Sequence, residues 1–210
     1  MTSATDPDRG LRALALACTL TPSPEASSSE LMARQVLDAL AQHNVAGSLV
    51  RVVDHDVRPG VQLDMGDGDE WPTIRQQLVD ADILVFATPT WLGQHSSVAQ
   101  RVLERLDAEL SETDEQGRLR TYGKVAVAAI VGNEDGAHHV SGILYQGLND
   151  VGFTLAANAV TYWNDEVKGR YRNYQDLQPS PAGVLDTTRT VAANAAHLAG
   201  LLKASGYPPS

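Results

Sequence analysis

The chain predicts a doubly wound α/β domain: a five-stranded parallel sheet of order 2-1-3-4-5 inside a three-layer α/β/α sandwich. Three observations predict it. Short runs such as Ile83-Leu84-Val85-Phe86 are apolar on both faces, which suits strands covered by helices above and below. They alternate with stretches of helical period in the pattern βαβαβαβαβα, and alternation at this spacing requires right-handed crossovers and a parallel sheet. Loops rich in Pro, Gly and hydroxyl side chains follow the first, third and fourth strands, at the carboxyl ends where open sheets of this kind bind ligands.

Taken in order, residues 1–10 are expected to be a flexible lead-in and residues 11–205 a single domain, since 210 residues suffice for one sizeable core. Leu11 to Ala17 is the first buried strand and ends at Cys18-Thr19. Leu20 to Ser29 must be loop, because Pro22 and Pro24 forbid both a continued strand and a helix interior. A helix from about Ser29 sets Leu31, Val36, Leu37 and Leu40 on one stripe, and Gly47 to Asp54 is the second strand. The segment His55 to Asp69, with Pro59-Gly60, Gly66 and Gly68, is a long loop. Asp69-Glu70 then precede Trp71-Pro72 at the start of the second helix, an acidic, Pro-containing first turn.

Asp82 to Ala87 is the third strand and Thr88 to Gln94 its loop. A third helix runs over Ser97 to Leu110, with His95, Ser96 and Ser97 assigned to its cap. The polar insertion 111–118 leads to the fourth strand, Lys124 to Val131, and its loop, Gly132 to His139. A helix from about Val140 to Val151, a fifth strand from Thr154 to Val160, an irregular polar stretch 164–180 and an Ala-rich helix from Pro181 to Ala204 complete the domain.

Composition narrows the function classes. A formal net charge of -10 argues against nucleic acid or an anionic membrane as partner, since either needs a basic face. The single cysteine, Cys18, can make neither an intrachain disulfide nor a cysteine-rich metal site. With no long apolar segment, a soluble cytoplasmic protein is expected.

The first loop offers hydroxyls at Thr19, Thr21, Ser27, Ser28 and Ser29 just before a helix, where free N–H groups and the dipole favour an anion. No Lys or Arg occurs from Ala13 to Ala33, so a phosphate there would meet neutral donors; the plainer reading is that these residues cap the helix. His138-His139 do not make a metal site, because adjacent helical positions diverge and no ligand set at the right spacing accompanies them. His138 is a candidate proton donor. Tyr162-Trp163 could wall a substrate pocket or simply pack, and Lys168, Arg170 and Arg172 could meet an NADPH phosphate or be a solvated loop. Cys18 is assigned to the core, and no nucleophile-elbow sequence occurs.

The ordered trio of loops, Thr19-Leu-Thr-Pro-Ser-Pro-Glu-Ala-Ser-Ser-Ser, Thr88-Pro-Thr-Trp-Leu-Gly-Gln-His-Ser-Ser and Gly132-Asn-Glu-Asp-Gly-Ala-His-His, resembles the flavodoxin-like NAD(P)H-dependent FMN reductase and quinone reductase family. The resemblance spans Leu11 to about Trp163. It implies that the first loop holds the FMN phosphate, with Ser27, Ser28 and Ser29 where the family has a Ser-Asn-Thr type triplet. Pro24 and Glu25 stand where the family often has an Arg. It further implies that Pro89, Thr90, Trp91, Leu92, Gly93 and Gln94 border the isoalloxazine, Trp91 either stacking beside the flavin or packing on a neighbouring subunit. Gly132, Asn133, Glu134, Asp135 and Gly136 would close over the pyrimidine side, the two acids pointing away from flavin N1 or capping the next helix.

The function so implied is an FMN-dependent oxidoreductase that takes hydride from NADPH or NADH and reduces a quinone, free flavin or similar acceptor, assembled as a homodimer or homotetramer. The alternative is a flavodoxin-like FMN electron carrier with no substrate of its own. A phosphorylated receiver domain is disfavoured, because an acidic pair should follow the first strand and Cys18-Thr19 stands there.

Overall fold

Alternate residues of each central strand serve two different cores. Leu14, Leu16, Leu84 and Phe86 pack on one side of the sheet with Trp71, Val102 and Leu144, while Ala13, Ala15, Ile83 and Val85 pack on the other with Met32, Val36 and Val191. This two-sided burial is what the apolar runs require. The computed structural model describes residues 10–165 and 171–209. The strands are β1 (Arg12–Ala17), β2 (Ala46–Arg51), β3 (Ile83–Trp91), β4 (Gln94–His95), β5 (Val125–Gly132) and β6 (Thr154–Asn164). The helices are α1 (Ser28–Ala41), α2 (Trp71–Asp80), α3 (Ser97–Leu106), α4 (Ala137–Asp150) and α5 (Ala182–Ala204). Five strands form a parallel sheet in the order β2-β1-β3-β5-β6, and the two-residue β4 pairs antiparallel on β3. Leaving out β4, this is the expected order 2-1-3-4-5.

Besides the end of β3, four boundaries differ from expectation by three or four residues. The chain leaves β2 at Arg51 and turns through Val52–Asp54, where the Asp54 carboxylate accepts the Ser23 N–H at 2.8 Å and its hydroxyl at 2.6 Å. Helix α3 stops at Leu106 and tightens into a 3-10 turn over Asp107–Ser111. Helix α4 starts at Ala137, so His138 and His139 lie in its first turn. Strand β6 continues to Asn164 past an irregularity opposite Ala126 to Ala128, with Asn158 at φ 53, a left-handed conformation that Asn tolerates. Residues 1–9 of the expected flexible lead-in 1–10, Lys168 and Arg170 lie outside the described residues. Among the described residues no helix is long and apolar enough to cross a membrane.

The long loop 55–69 is organised by one buried ion pair. Asp69 and Arg105, both with side chains fully buried, meet at 2.7 Å. Arg105 also donates to the carbonyls of Arg58 and Gln62, and Asp69 accepts the N–H groups of Arg58, Met65 and Trp71. Burial pushes the Asp69 carboxyl upward, but the Met65 N–H and the Arg105 guanidinium more than offset it and hold the group below its ordinary value. A depressed folded-state pKa contributes stability above the unfolded value of about 4 that is lost as pH falls through the folded one. Asp69→Ala should therefore lower unfolding free energy by roughly 3–5 kcal/mol, because it strands a buried guanidinium. Urea denaturation at neutral pH and below pH 4 would show it, with the gap between variant and parent narrowing in acid.

Candidate functional site

Strand β3 does not stop at Ala87. Thr88 and Pro89 go on pairing with Ile130 and Val131 of β5, and β3 then folds back through Leu92-Gly93 onto β4. The expected loop from Thr88 to Gln94 is thus a strand end and a tight hairpin. Both turn residues have positive φ, 50° at Leu92 and 74° at Gly93, as two-residue hairpin turns demand. Strand β1 ends at Ala17 opposite Ala87, so Pro89 lies where β3 has one sheet neighbour only and a missing N–H is tolerated. Behind the hairpin, the Ser96 side chain caps α3 through the Ala99 N–H and donates to the Cys18 carbonyl, tying the ends of β1 and β3 together. Burial pushes the Cys18 thiol well up, which leaves it a core residue.

A cavity of about 220 Å³ opens at the carboxyl ends of β1, β3 and β5. From the first loop Thr19, Thr21, Ser27, Ser28 and Ser29 line it; from β3, Pro89, Thr90 and Trp91; from β5 and beyond, Gly132 and Asn133. These three groups are the ones the sequence brings together. Leu92, Gly93, Gln94, Glu134, Asp135 and Gly136 are not part of its wall: they form the edge beside Thr90, with Leu92, Gln94 and Asp135 exposed. There Glu134 accepts the Gly93 N–H at 3.4 Å, Asp135 accepts the Gly136 N–H rather than capping α4, and His139 meets Gln94 at 3.2 Å. A Cβ on Gly136 would lie 2.8 Å from the Gly93 Cα and 2.9 Å from Thr90 Cγ2, so the two loops touch backbone to backbone. His138 is exposed, edge-on to Tyr162 at 5.1 Å and outside the cavity wall.

The polar stretch after β6 contributes a wall that the sequence does not mark. Asn173, Tyr174 and Gln175 line the cavity, and Tyr174 packs its buried ring on Trp163 at 5.6 Å. Because strand neighbours face opposite ways, Trp163 walls the cavity while Tyr162 turns to α4. Burial raises the Tyr174 phenol, whose hydroxyl donates to Gln35 Oε1 at 2.8 Å. Arg172 is paired with Asp165 at 2.7 Å.

No described lining residue is charged. The cation that serves the first loop comes from the end of β2 and works from behind. Arg51, 9% exposed, donates to Glu30 Oε2 at 2.5 Å and to the carbonyls of Glu25 at 2.8 Å and Thr21 at 3.3 Å. Burial raises the Glu30 carboxyl, but bonds from Arg34 and Arg51 bring it below its ordinary value. Ser27 caps α1 by accepting the Glu30 N–H. Thr90 Oγ1 is buried and has no hydrogen-bond partner. Among the described residues no group of three or more His, Cys, Asp or Glu could hold a metal ion.

Arg51→Met should loosen the first loop without touching the cavity lining. The expected loss is roughly 2–3 kcal/mol of stability, from the orphaned carbonyls of Thr21 and Glu25 and a Glu30 left to Arg34 alone. Amide hydrogen exchange over Thr21 to Ser27 should speed up by about tenfold or more, against unchanged rates in β3 and β5.

The family model for NADPH-dependent FMN reductase matches residues 11–165. The chain is 31% identical to the 8-demethyl-8-aminoriboflavin-5'-phosphate synthase of Streptomyces davaonensis over 206 residues, covering 94% of this chain and 80% of that protein. It is 36% identical over 204 residues to a Mycobacterium bovis protein described as the divalent metal cation transporter MntH, covering 93% of this chain but only 29% of that protein's length. The structure of RosB with the bound intermediate 8-demethyl-8-formylriboflavin-5'-phosphate superposes with a TM-score of 0.86 at 31% identity, over 94% of this chain and 82% of that one. An archaeal flavodoxin superposes with a TM-score of 0.58 at 10% identity, over 90% of this chain and 99% of that one, a likeness of fold alone. The fold is flavodoxin-like, and the chain belongs to the NADPH-dependent FMN reductase family.

Proposed function

We propose that the protein holds FMN in this cavity, takes hydride from NAD(P)H onto the flavin and passes the electrons to a quinone, free flavin or similar acceptor. Family membership supplies FMN and NAD(P)H. The observation that carries the fit is the buried, partnerless hydroxyl of Thr90 in a wall of neutral hydrogen-bonding groups, since a buried polar atom left unsatisfied calls for a ligand or water. The cavity's 220 Å³ is below the roughly 300–1,000 Å³ usual for small-molecule sites. It therefore suits part of a ligand of FMN's size, with the rest lying along the rim formed by Leu92, Gly93 and Gln94.

Ser27, whose hydroxyl accepts the Glu30 N–H and keeps its own hydrogen to donate, would hold the phosphate with Ser28, Ser29 and the free N–H groups of α1. Thr90 and Asn133 would meet the polar edge of the ring, and Val131 and Trp163 would keep water from one side. Bound flavin supplies the redox chemistry, so no acid–base dyad is needed in the wall. Trp91, 54% exposed, and Leu92, 91% exposed, support a homodimer or homotetramer in which this hairpin tip is covered.

A second reading is favoured by the match to RosB, a structure that holds a modified riboflavin phosphate. In it the flavin is the substrate, altered and released. Mass spectrometry of the flavin recovered after turnover separates the two: an unchanged mass supports the reductase, a changed mass the modifying enzyme. A carrier without its own substrate would give almost no steady-state NAD(P)H oxidation.

Removing the lone hydroxyl tests the site itself. Thr90→Val should leave the thermal midpoint of the free protein equal to or above that of the parent and weaken FMN binding by roughly five- to tenfold, the worth of one hydrogen bond. Unaltered FMN affinity in a titration followed by flavin fluorescence would remove Thr90 from the site.

A further inference from the structure

Residues 173–175 lie beyond the stretch that the family model matches, yet they form one wall of the cavity. They are strapped in place at several points. Arg172 binds Asp165, whose side chain is fully buried and whose own N–H donates to the Gly132 carbonyl at the end of β5. Tyr174 is fixed by Trp163 and Gln35, and Gln35 in turn donates to Ser180 at 2.9 Å. Held between these anchors, Gln175 makes a two-way contact with the first loop. Its Oε1 accepts the Ser28 hydroxyl at 3.1 Å, and its backbone N–H donates to the same oxygen at 3.2 Å.

We infer that Gln175 is a specificity-determining residue that lets the cavity distinguish a 5'-phosphorylated flavin from the unphosphorylated nucleoside. The inference rests on the reading of the cavity as a flavin site with the phosphate at the first loop. Its basis is the charge inventory. With no charged side chain among the described lining residues, these tell a phosphate from a hydroxyl by the N-terminus of α1 and by the number and placement of neutral donors. Ser28 is one of these donors, and its hydroxyl hydrogen points to Gln175 Oε1. The backbone N–H of Gln175 keeps the Ser28 oxygen in place while that hydrogen swings from the carboxamide to a phosphate oxygen, and the Gln175 Nε2 amide is left as a further donor. Hydrogen bonds to an anion are roughly twice as strong as those between neutral groups, so loss of the Nε2 donor weakens the phosphorylated ligand selectively, while Ser28 and the backbone N–H at position 175 remain. A carboxylate in place of the carboxamide would set like charges face to face.

The test compares FMN with riboflavin on the full-length protein, using fluorescence titrations of the parent, Gln175→Ala and Gln175→Glu. Gln175 is only partly buried, so neither change should move the thermal midpoint of the free protein. FMN should bind about tenfold more weakly to Gln175→Ala and about a hundredfold more weakly to Gln175→Glu, with riboflavin changed by less than about twofold in both. If FMN and riboflavin weaken together, or neither changes, the inference is overturned while the flavin site stands. If the parent binds neither flavin, the reading of the cavity falls and the inference with it.

Discussion

The walls of the cavity depend on the contact of Gly136 with the β3–β4 hairpin, backbone against backbone. A side chain there would stand 2.8 Å from the Gly93 Cα and 3.0 Å from its carbonyl oxygen, and Gly136 itself sits at φ 143, where glycine alone is comfortable. From the other side, a Cβ on Gly132 would come within 2.7 Å of the Thr90 Cβ. Thr90 is therefore gripped between two glycines. Its position at the cavity wall, the path of the third loop and the early start of α4 all follow from that grip. The bonds from Gly93 to Glu134 and between His139 and Gln94 then fasten an edge already set by shape.

A second device recurs around the sheet. Backbone carbonyls in a loop have no ladder partner and must find one elsewhere when covered. Here a buried or partly buried cation from a neighbouring element supplies it. Arg51 serves Thr21 and Glu25, Arg105 serves Arg58 and Gln62, and Lys124 donates to Val79 and Ala81 at 2.6 Å each. The two arginines are each balanced by a carboxylate, Glu30 and Asp69, so neither is a lone buried charge. The first loop is thus tied down from behind, which lets it present its hydroxyls at one place.

The layer structure was legible because buried parallel strands leave an unmistakable apolar signature, and five of them came in order. The first and third loops were legible as neighbours because strand order puts them together. What the sequence concealed was contact over distance. Pro89 and Gly93 have the local character of loop breakers, yet pairing with β5 and the hairpin turn make them parts of ordered strands and their tip. Arg51 lies at the end of a strand with no local sign that it will brace a loop some 26 to 30 residues away in sequence. Tyr174 and Gln175 sit in a stretch with no period at all, and only the packing of Tyr174 on Trp163 brings them to the cavity.

On the proposed reading of the cavity as a flavin site, its charge bears on how the flavin is used. A chain of net charge -10 would be expected to place a cation where it binds a phosphate, but Arg51 is turned to carbonyls and Glu30, behind the lining. A helix N-terminus and neutral donors contribute about 0.3–1 kcal/mol per favourable dipole contact at an exposed site, well short of a bidentate arginine. Such a subsite selects a ligand by fit and donor count while holding it less tightly. Exchange of flavin is compatible with either use of the cavity, but a flavin that is altered must leave after every turnover, whereas one that only carries electrons need never do so. The neutral wall therefore bears directly on the choice between the two readings, and it does so through a rate of release rather than through any catalytic side chain.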